Sequence, residues 1–251
     1  MERLKEFFYS LPRIVVVSLY KLIVRIRVVN YKRIPLNSQV IFAINHVTGA
    51  DPILLMAGLK KKMVFFAISD DFKTKFTDFF FRKVGNAIPV FQKNFEKNFA
   101  SFKQLIAASK RKDCCFAVFP EGKLNKTDKY DDFKKGAAYF AYKTKIPVIP
   151  VYIQGIKGYR KGTRIEQNKV SEGIFALVLN IFRKINIFIG NPINPMAENV
   201  INDLSNISDS QSYRVFVDDI HNQIESNYSI LQDEACELLK DPQKLALAEK
   251  N

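Results

Sequence analysis

The chain has 251 residues, 47% hydrophobic and 25% charged, a balance that argues against a disordered or fibrous protein and leaves room for a sizeable core. Lys and Arg number 39 against 25 Asp and Glu, and the resulting charge of +14 points to polyanionic partners: nucleic acid, an anionic membrane surface or phosphorylated substrates. Three cysteines, Cys114, Cys115 and Cys236, two of them adjacent, argue against a disulfide framework and fit reduced thiols in a cytoplasmic setting.

The first apolar run in chain order is "RIVVVSLYKLIVRIRVV", residues 13–29. A membrane span needs about twenty apolar residues in succession. Here the uncharged stretch runs only from Ile14 to Tyr20 before Lys21 interrupts it. With no small-residue cleavage site after it, the run does not read as a secretory signal. It reads as a surface-seeking amphipathic segment, as a helix packed on the domain, or as both at once. Beyond it, short apolar runs predict strands at 24–29, 40–44, 64–68, 88–91, 115–119, 148–153 and 185–189. Helical patterns fall between most of them. In 94–112, Phe95, Phe99, Phe102 and Ile106 are expected on one face with lysines opposite, and 132–145 carries small residues suited to packing on a sheet. From 203 onward the pattern is helical, and His221 lies there with no partner in the sequence pattern. The expected fold is therefore α/β, a central, largely parallel sheet flanked by helices, with an N-terminal amphipathic helical segment and C-terminal helices.

Ligands of open α/β sheets gather outside the carboxyl ends of the strands. Four polar stretches stand there: "NHVTGAD", "QKN", "PEGKLN" and "QGIKG". Asp51-Pro52 reads as a helix start, with Asp51 at the N-cap. That explains Asp51 but not Asn45-His46 at the end of a strand. A carboxylate within reach of His46 would fix its tautomer and stabilise the imidazolium formed when it takes a proton. Asp51 has two oxygens and can serve both ends. The basic runs 60–62 and 110–112 read as helix ends or solvated surface, and no zinc spacing or nucleic-acid module occurs.

Four motifs in order carry a resemblance: "NHVTGAD" (45–51), "VGNAIPVFQKN" (84–94), "FPEG" (119–122) and "IPVIPVYIQG" (146–155). Together they resemble the glycerolipid acyltransferases, whose best-known members are 1-acyl-glycerol-3-phosphate acyltransferases. The likeness runs from about Arg25 to Ile193, closing on "INIFIGNPI". With the flanking patterns, the chain is expected to divide into an N-terminal amphipathic membrane-associating segment at 1–22, an acyltransferase domain at 23–200 and a C-terminal helical extension at 201–251. The resemblance implies His46 as general base with Asp51 orienting it, acting on an acceptor hydroxyl that attacks an acyl thioester. It further implies substrate contacts at Asn45, Gln92, Lys93, Phe119, Pro120, Glu121, Gly122, Lys123 and Pro150. Glu121 would meet the glycerol of the acceptor, Gly122 would let the backbone come close, and Pro150 would shape the site floor. The direct transfer needs no enzyme nucleophile and no cofactor, only acyl-CoA or acyl carrier protein as co-substrate.

The chain departs from the pattern in two places. The second motif usually ends in Arg, where this chain has Gln92 followed by Lys93; the third usually continues Thr-Arg-Ser, where it has Lys123, Leu124 and Asn125. Lysines give point charges where arginine gives bidentate phosphate recognition. The implied acceptor is 1-acyl-glycerol-3-phosphate, giving phosphatidic acid. Another lysolipid acceptor, or a non-catalytic lipid-binding protein, is the alternative. The implied partners are a lysophospholipid, the thioester donor and an anionic membrane, without nucleic acid. The implied location is the cytoplasmic face of the cell membrane, peripheral or monotopic.

Overall fold

Strands with no polar alternation must be buried on both faces, and a parallel sheet covered by helices does this. In the computed structural model, which describes residues 2–36, 38–68, 74–91, 95–125, 132–158, 169–195 and 209–250, the strands are β1 (Arg25–Val29), β2 (Ile41–Ile44), β3 (Met63–Ile68), β4 (Ala87–Val90), β5 (Cys115–Val118), β6 (Val148–Gln154) and β7 (Lys184–Ile189). They form one sheet in the order β1-β7-β6-β2-β5-β3-β4. Every neighbouring pair is parallel except β6 with β7. Each expected strand is present, its ends moved by at most one residue.

The helices are α1 (Glu2–Ile23), α2 (Asp51–Leu59), α3 (Lys75–Phe79), which runs into a π-helical turn at Phe80–Val84, α4 (Phe95–Ser109), α5 (Gly136–Thr144), α6 (Lys169–Leu179), α7 (Asp209–Lys240) and α8 (Pro242–Lys250). Period-two alternation in the central strand β2 divides the core. Phe42 and Ile44 join Leu54, Leu55 and Leu59 of α2 and Tyr20 of α1. Ile41 and Ala43 join Leu105 of α4, Phe140 of α5 and Tyr228 of α7 on the other face. The expected face of α4 is rotated. Ser101 and Leu105 are buried, and Phe99, two positions before Ser101 and so roughly 200° round the helix, faces solvent. There the Lys103 ammonium covers its ring at 4.7 Å. His221 Nε2 sits 3.5 Å from Glu225 Oε1, one turn along α7.

Cys114 and Cys115 are buried and Cys236 is exposed. Burial pushes both buried thiols above the usual thiol range. The thiolate is the reacting form, so a raised value leaves less of it at mildly alkaline pH. Iodoacetamide at pH 8 is expected to label Cys236 well ahead of the other two. Peptide mass spectrometry that finds Cys114 or Cys115 labelled as fast would contradict the packing of this strand.

Candidate active site

The site stands at the carboxyl ends of β2 and β5, neighbours at the centre of the sheet. Just past β2, Asn45 acts as a side-chain copy of a sheet bond: its Nδ2 donates to the Ile153 carbonyl at 3.0 Å and its Oδ1 accepts from the Ile153 N–H at 2.8 Å. This ties the end of β2 to β6 and fixes where His46 leaves the sheet.

His46 is held on every side but one. Its backbone N–H donates to Glu121 Oε1 at 3.2 Å, and its carbonyl accepts from the backbone N–H of Asn125. Its ring stacks on Phe119, the residue just past the end of β5 at Val118, with centroids 4.0 Å apart. Nδ1 lies 2.9 Å from Asp51 Oδ2. That same oxygen accepts from the N–H groups of Val47 at 2.8 Å and Thr48 at 3.0 Å, while Oδ1 accepts from the Thr48 hydroxyl at 2.9 Å. A carboxylate gathering donors in this way is an acceptor for Nδ1–H as well, so the proton sits on Nδ1 and Nε2 presents its lone pair. Nε2 has no hydrogen-bond partner among the described residues.

Asp51 is not the N-cap of α2. Ala50 takes that place, Asp51 is the first helical residue, and Pro52 follows in the first turn. The carboxylate turns back on the His46–Thr48 loop instead, because three N–H donors and one hydroxyl converge there in a site with 0% exposure. Tyr20 of α1 packs close by and donates to the Leu177 carbonyl at 3.3 Å. Burial, and then the charge of Asp51, push its phenol up to about 12.

The "FPEG" turn supplies the facing wall. Glu121, 2% exposed, holds His46 with one oxygen and accepts from Asn125 Nδ2 with the other. Gly122 adopts φ +66, and a Cβ there would come within 2.6 Å of Lys134 Nζ. A side chain at this position would displace that ammonium. A cavity of about 370 Å³ opens beside these groups, lined among others by His46, Phe119, Pro120, Gly122, Lys123 and Lys134. Its remaining walls are mainly apolar: Ile53 and Met56 of α2, Phe65 of β3, Phe81 of the π-helical turn, and Val16 and Val17 of α1. Arg13 of α1 also lines it, donating to the Val84 carbonyl at 3.3 Å; burial lowers its guanidinium from the ordinary value.

Of the expected site residues, the structure gathers His46, Asp51, Glu121 and the Phe119–Lys123 turn. Asn45 stands behind them in the sheet. Pro150 lies in β6 beside Ala43, its carbonyl accepting from Gly190 N–H at 2.9 Å, and does not line the cavity. Gln92 and Lys93 lie outside the described residues. Sequence reasoning missed Thr48, Lys134, Glu172 and the cavity-facing side of α1. Glu172 of α6 accepts from the Gly49 N–H at 2.6 Å, bracing the loop between His46 and Asp51. Only Lys134 carried a signal, as a cation in "FKKG" shortly after the turn. Among the described residues no group of three His, Cys, Asp or Glu side chains is arranged to hold a metal ion, and no helix is long and apolar enough to cross a membrane.

A histidine with a buried carboxylate partner, beside an apolar cavity at the ends of parallel strands, is an arrangement that can take a proton from a hydroxyl group. The sequence matches the acyltransferase family over residues 25–154, and the chain belongs to that family as an acyltransferase enzyme. Among its relatives are two proteins described as probable 1-acyl-sn-glycerol-3-phosphate acyltransferases. The one from Mycoplasma pneumoniae is 26% identical over 84% of this chain and 80% of its own length. The one from Mycoplasma genitalium is 27% identical over 79% and 73%. The fold matches the crystal structure of the 1-acyl-sn-glycerophosphate acyltransferase PlsC from Thermotoga maritima with a TM-score of 0.51, covering 85% of this chain and 81% of that one at 20% identity.

Proposed function

We propose that this enzyme transfers a fatty acyl group from an acyl thioester, carried by coenzyme A or acyl carrier protein, to the free hydroxyl of 1-acyl-glycerol-3-phosphate, giving phosphatidic acid. The observation that carries this reading is an imidazole oriented by Asp51, with Nε2 unpartnered among the described residues, at the wall of an apolar cavity. Nε2 takes the proton of the acceptor hydroxyl as its oxygen bonds to the thioester carbonyl carbon. The tetrahedral adduct then expels the thiolate, which leaves as a thiol with the proton returned from Nε2. Asp51 stabilises the imidazolium in between. The reaction uses no resident cofactor. A cavity of about 370 Å³ lined by Val, Ile, Met and Phe suits a hydrocarbon chain. Lys123 and Lys134 bring positive charge to the same cavity beside Gly122, which supports an anionic acceptor.

A second acceptor class has its own observation. The position after Lys123 carries Leu124, which lines the cavity, and the next carries Asn125, whose amide is bound to Glu121. Neither offers a bidentate cation, and this favours lysolipids whose phosphate is not terminal. The membrane seat of the enzyme is the outward side of α1, where Leu11, Val15, Leu19 and Leu22 are exposed while Val17 and Tyr20 turn inward. The positive charge of the chain supports an anionic surface, and reduced thiols fit its cytoplasmic face. In this reading residues 1–22 associate with the membrane, 23–200 carry the transfer and 201–251 brace it.

The test is acyl transfer by purified protein, with acyl-CoA or acyl carrier protein and a panel of lysophospholipids, read by mass spectrometry. Phosphatidic acid from lysophosphatidic acid is the expected product. Product only from other lysolipids would transfer the assignment to the second class. No product from any pair would remove the catalytic reading of His46.

A further inference from the structure

The outer side of α6 has no counterpart in the chemistry above. Glu172, Gly173, Ala176 and the following Asn180 are buried. Ile174, Phe175, Val178 and Leu179 are exposed, and Phe182 in the turn beyond is 96% exposed. These five recur at alternating one- and three-residue intervals, so they share one face of the helix and its continuation. The exposure is built in rather than a frayed end. Asn180, fully buried, accepts from the Lys157 N–H at 2.8 Å and donates to the carbonyls of Lys157 at 3.0 Å and Ala176 at 2.7 Å. The turn carrying Phe182 is thus pinned to the loop after β6.

We propose that this face of α6, with Phe182, is a second bilayer-inserting element that works beside α1 on an anionic lipid surface. It rests on the reading of α1 as the membrane seat and extends it to a distant part of the chain, 157 positions separating Tyr20 from Leu177. Two observations select a bilayer as the occupant. The face continues that of α1: Tyr20 of α1 donates to the Leu177 carbonyl of α6, and Leu19, Leu22 and Ile23 are exposed around that contact. The edge is cationic, with Lys21, Arg183 and Lys184 all exposed, the pattern of an interfacial element on acidic headgroups.

The arrangement also sets the distance of the chemistry from the lipid. Gly173 packs on Gly49 so closely that a Cβ would meet its backbone at 3.3 Å, and Glu172 holds the Gly49 N–H. Gly49 lines the cavity. One helix thickness, roughly 10 Å, therefore separates the bilayer surface from the His46–Asp51 loop. A lipid acceptor then reaches the cavity without leaving the interface.

The chain has no Trp, so single substitutions report cleanly. Phe182→Trp and Leu19→Trp are each titrated with vesicles of phosphatidylcholine and phosphatidylglycerol, with and without brominated acyl chains. The expected result is a blue shift and bromine quenching for both variants, with partitioning of Phe182→Trp weakened about tenfold or more by Ile174→Ser with Val178→Ser. Quenching in the Leu19→Trp variant alone would overturn the α6 proposal and keep the α1 reading. Quenching in the Phe182→Trp variant alone would overturn the α1 reading and, with it, the proposal that the two helices work side by side. Quenching of neither would overturn both. A concentration-dependent blue shift of Phe182→Trp without lipid, accompanied by dimer in sedimentation velocity, would assign the face to a second copy of the chain and overturn the proposal.

Discussion

Replacing His46 by alanine is expected to lower kcat/KM for acyl transfer by about 10²–10⁴-fold, the range a positioned general base contributes. The fold should survive, because what holds this loop does not depend on the ring. The backbone N–H and carbonyl of His46 still meet Glu121 and Asn125, and Asp51 keeps the N–H groups of Val47 and Thr48. What is lost is the stack on Phe119 and the bond to Asp51, at a side chain that is 21% exposed. Far-ultraviolet circular dichroism and vesicle binding should match the wild type while product formation collapses. Activity within a few-fold of wild type, in a folded variant, would return His46 to a structural role.

The second large effect is expected at Asp51→Asn. The amide has nearly the same shape, and its oxygen can face the three nitrogen donors now on Oδ2. Its NH₂ then meets the Thr48 hydroxyl, which must give up its own donation and already accepts from the Ala50 N–H at 3.1 Å. Leaving that buried group badly paired costs about 1–3 kcal/mol, and Tm should fall by several degrees. The chemical loss is larger. A neutral amide no longer stabilises an imidazolium, and turnover should drop about 10³–10⁴-fold, as it does when the buried carboxylate behind the histidine of a serine protease is neutralised. Kinetics and thermal unfolding of the same preparation separate the two effects. A variant with lowered Tm but intact turnover would make Asp51 a loop anchor only.

The site's framework was legible in the sequence because its parts are local. His46 and Asp51 stand on one loop, and "FPEG" follows one strand, so chain-order motifs report them directly. The contacts that finish the site are not local. Lys134 reaches Gly122 only because the segment before α5 folds back over the turn, with Lys134 N–H on the Pro120 carbonyl at 2.9 Å. Glu172 braces Gly49 across 123 positions of chain. Neither leaves a periodic trace. Asp51 shows the same limit at short range: its residue type and the following proline fit an N-cap, and the converging donors of Val47, Thr48 and His46 drew the carboxylate the other way.

The sequence by itself determined the strands. Runs such as "IFAI" and "CFAV" are apolar on both faces, and such runs are stable only inside a helix-covered sheet. It determined the pairing of His46 with a carboxylate and the basic character of the chain. Tertiary structure alone decided which faces stay bare. In α1 and α4 nearly every turn offers an apolar residue to more than one direction, so periodicity leaves the inward direction open. Packing against α2 turned Tyr20 of α1 inward, and packing on the sheet turned Leu105 of α4 inward and left Phe99 outside. The same choice made α1 both a cavity wall and an exposed apolar surface, because a helix has two sides and the sequence had filled both with hydrophobic residues.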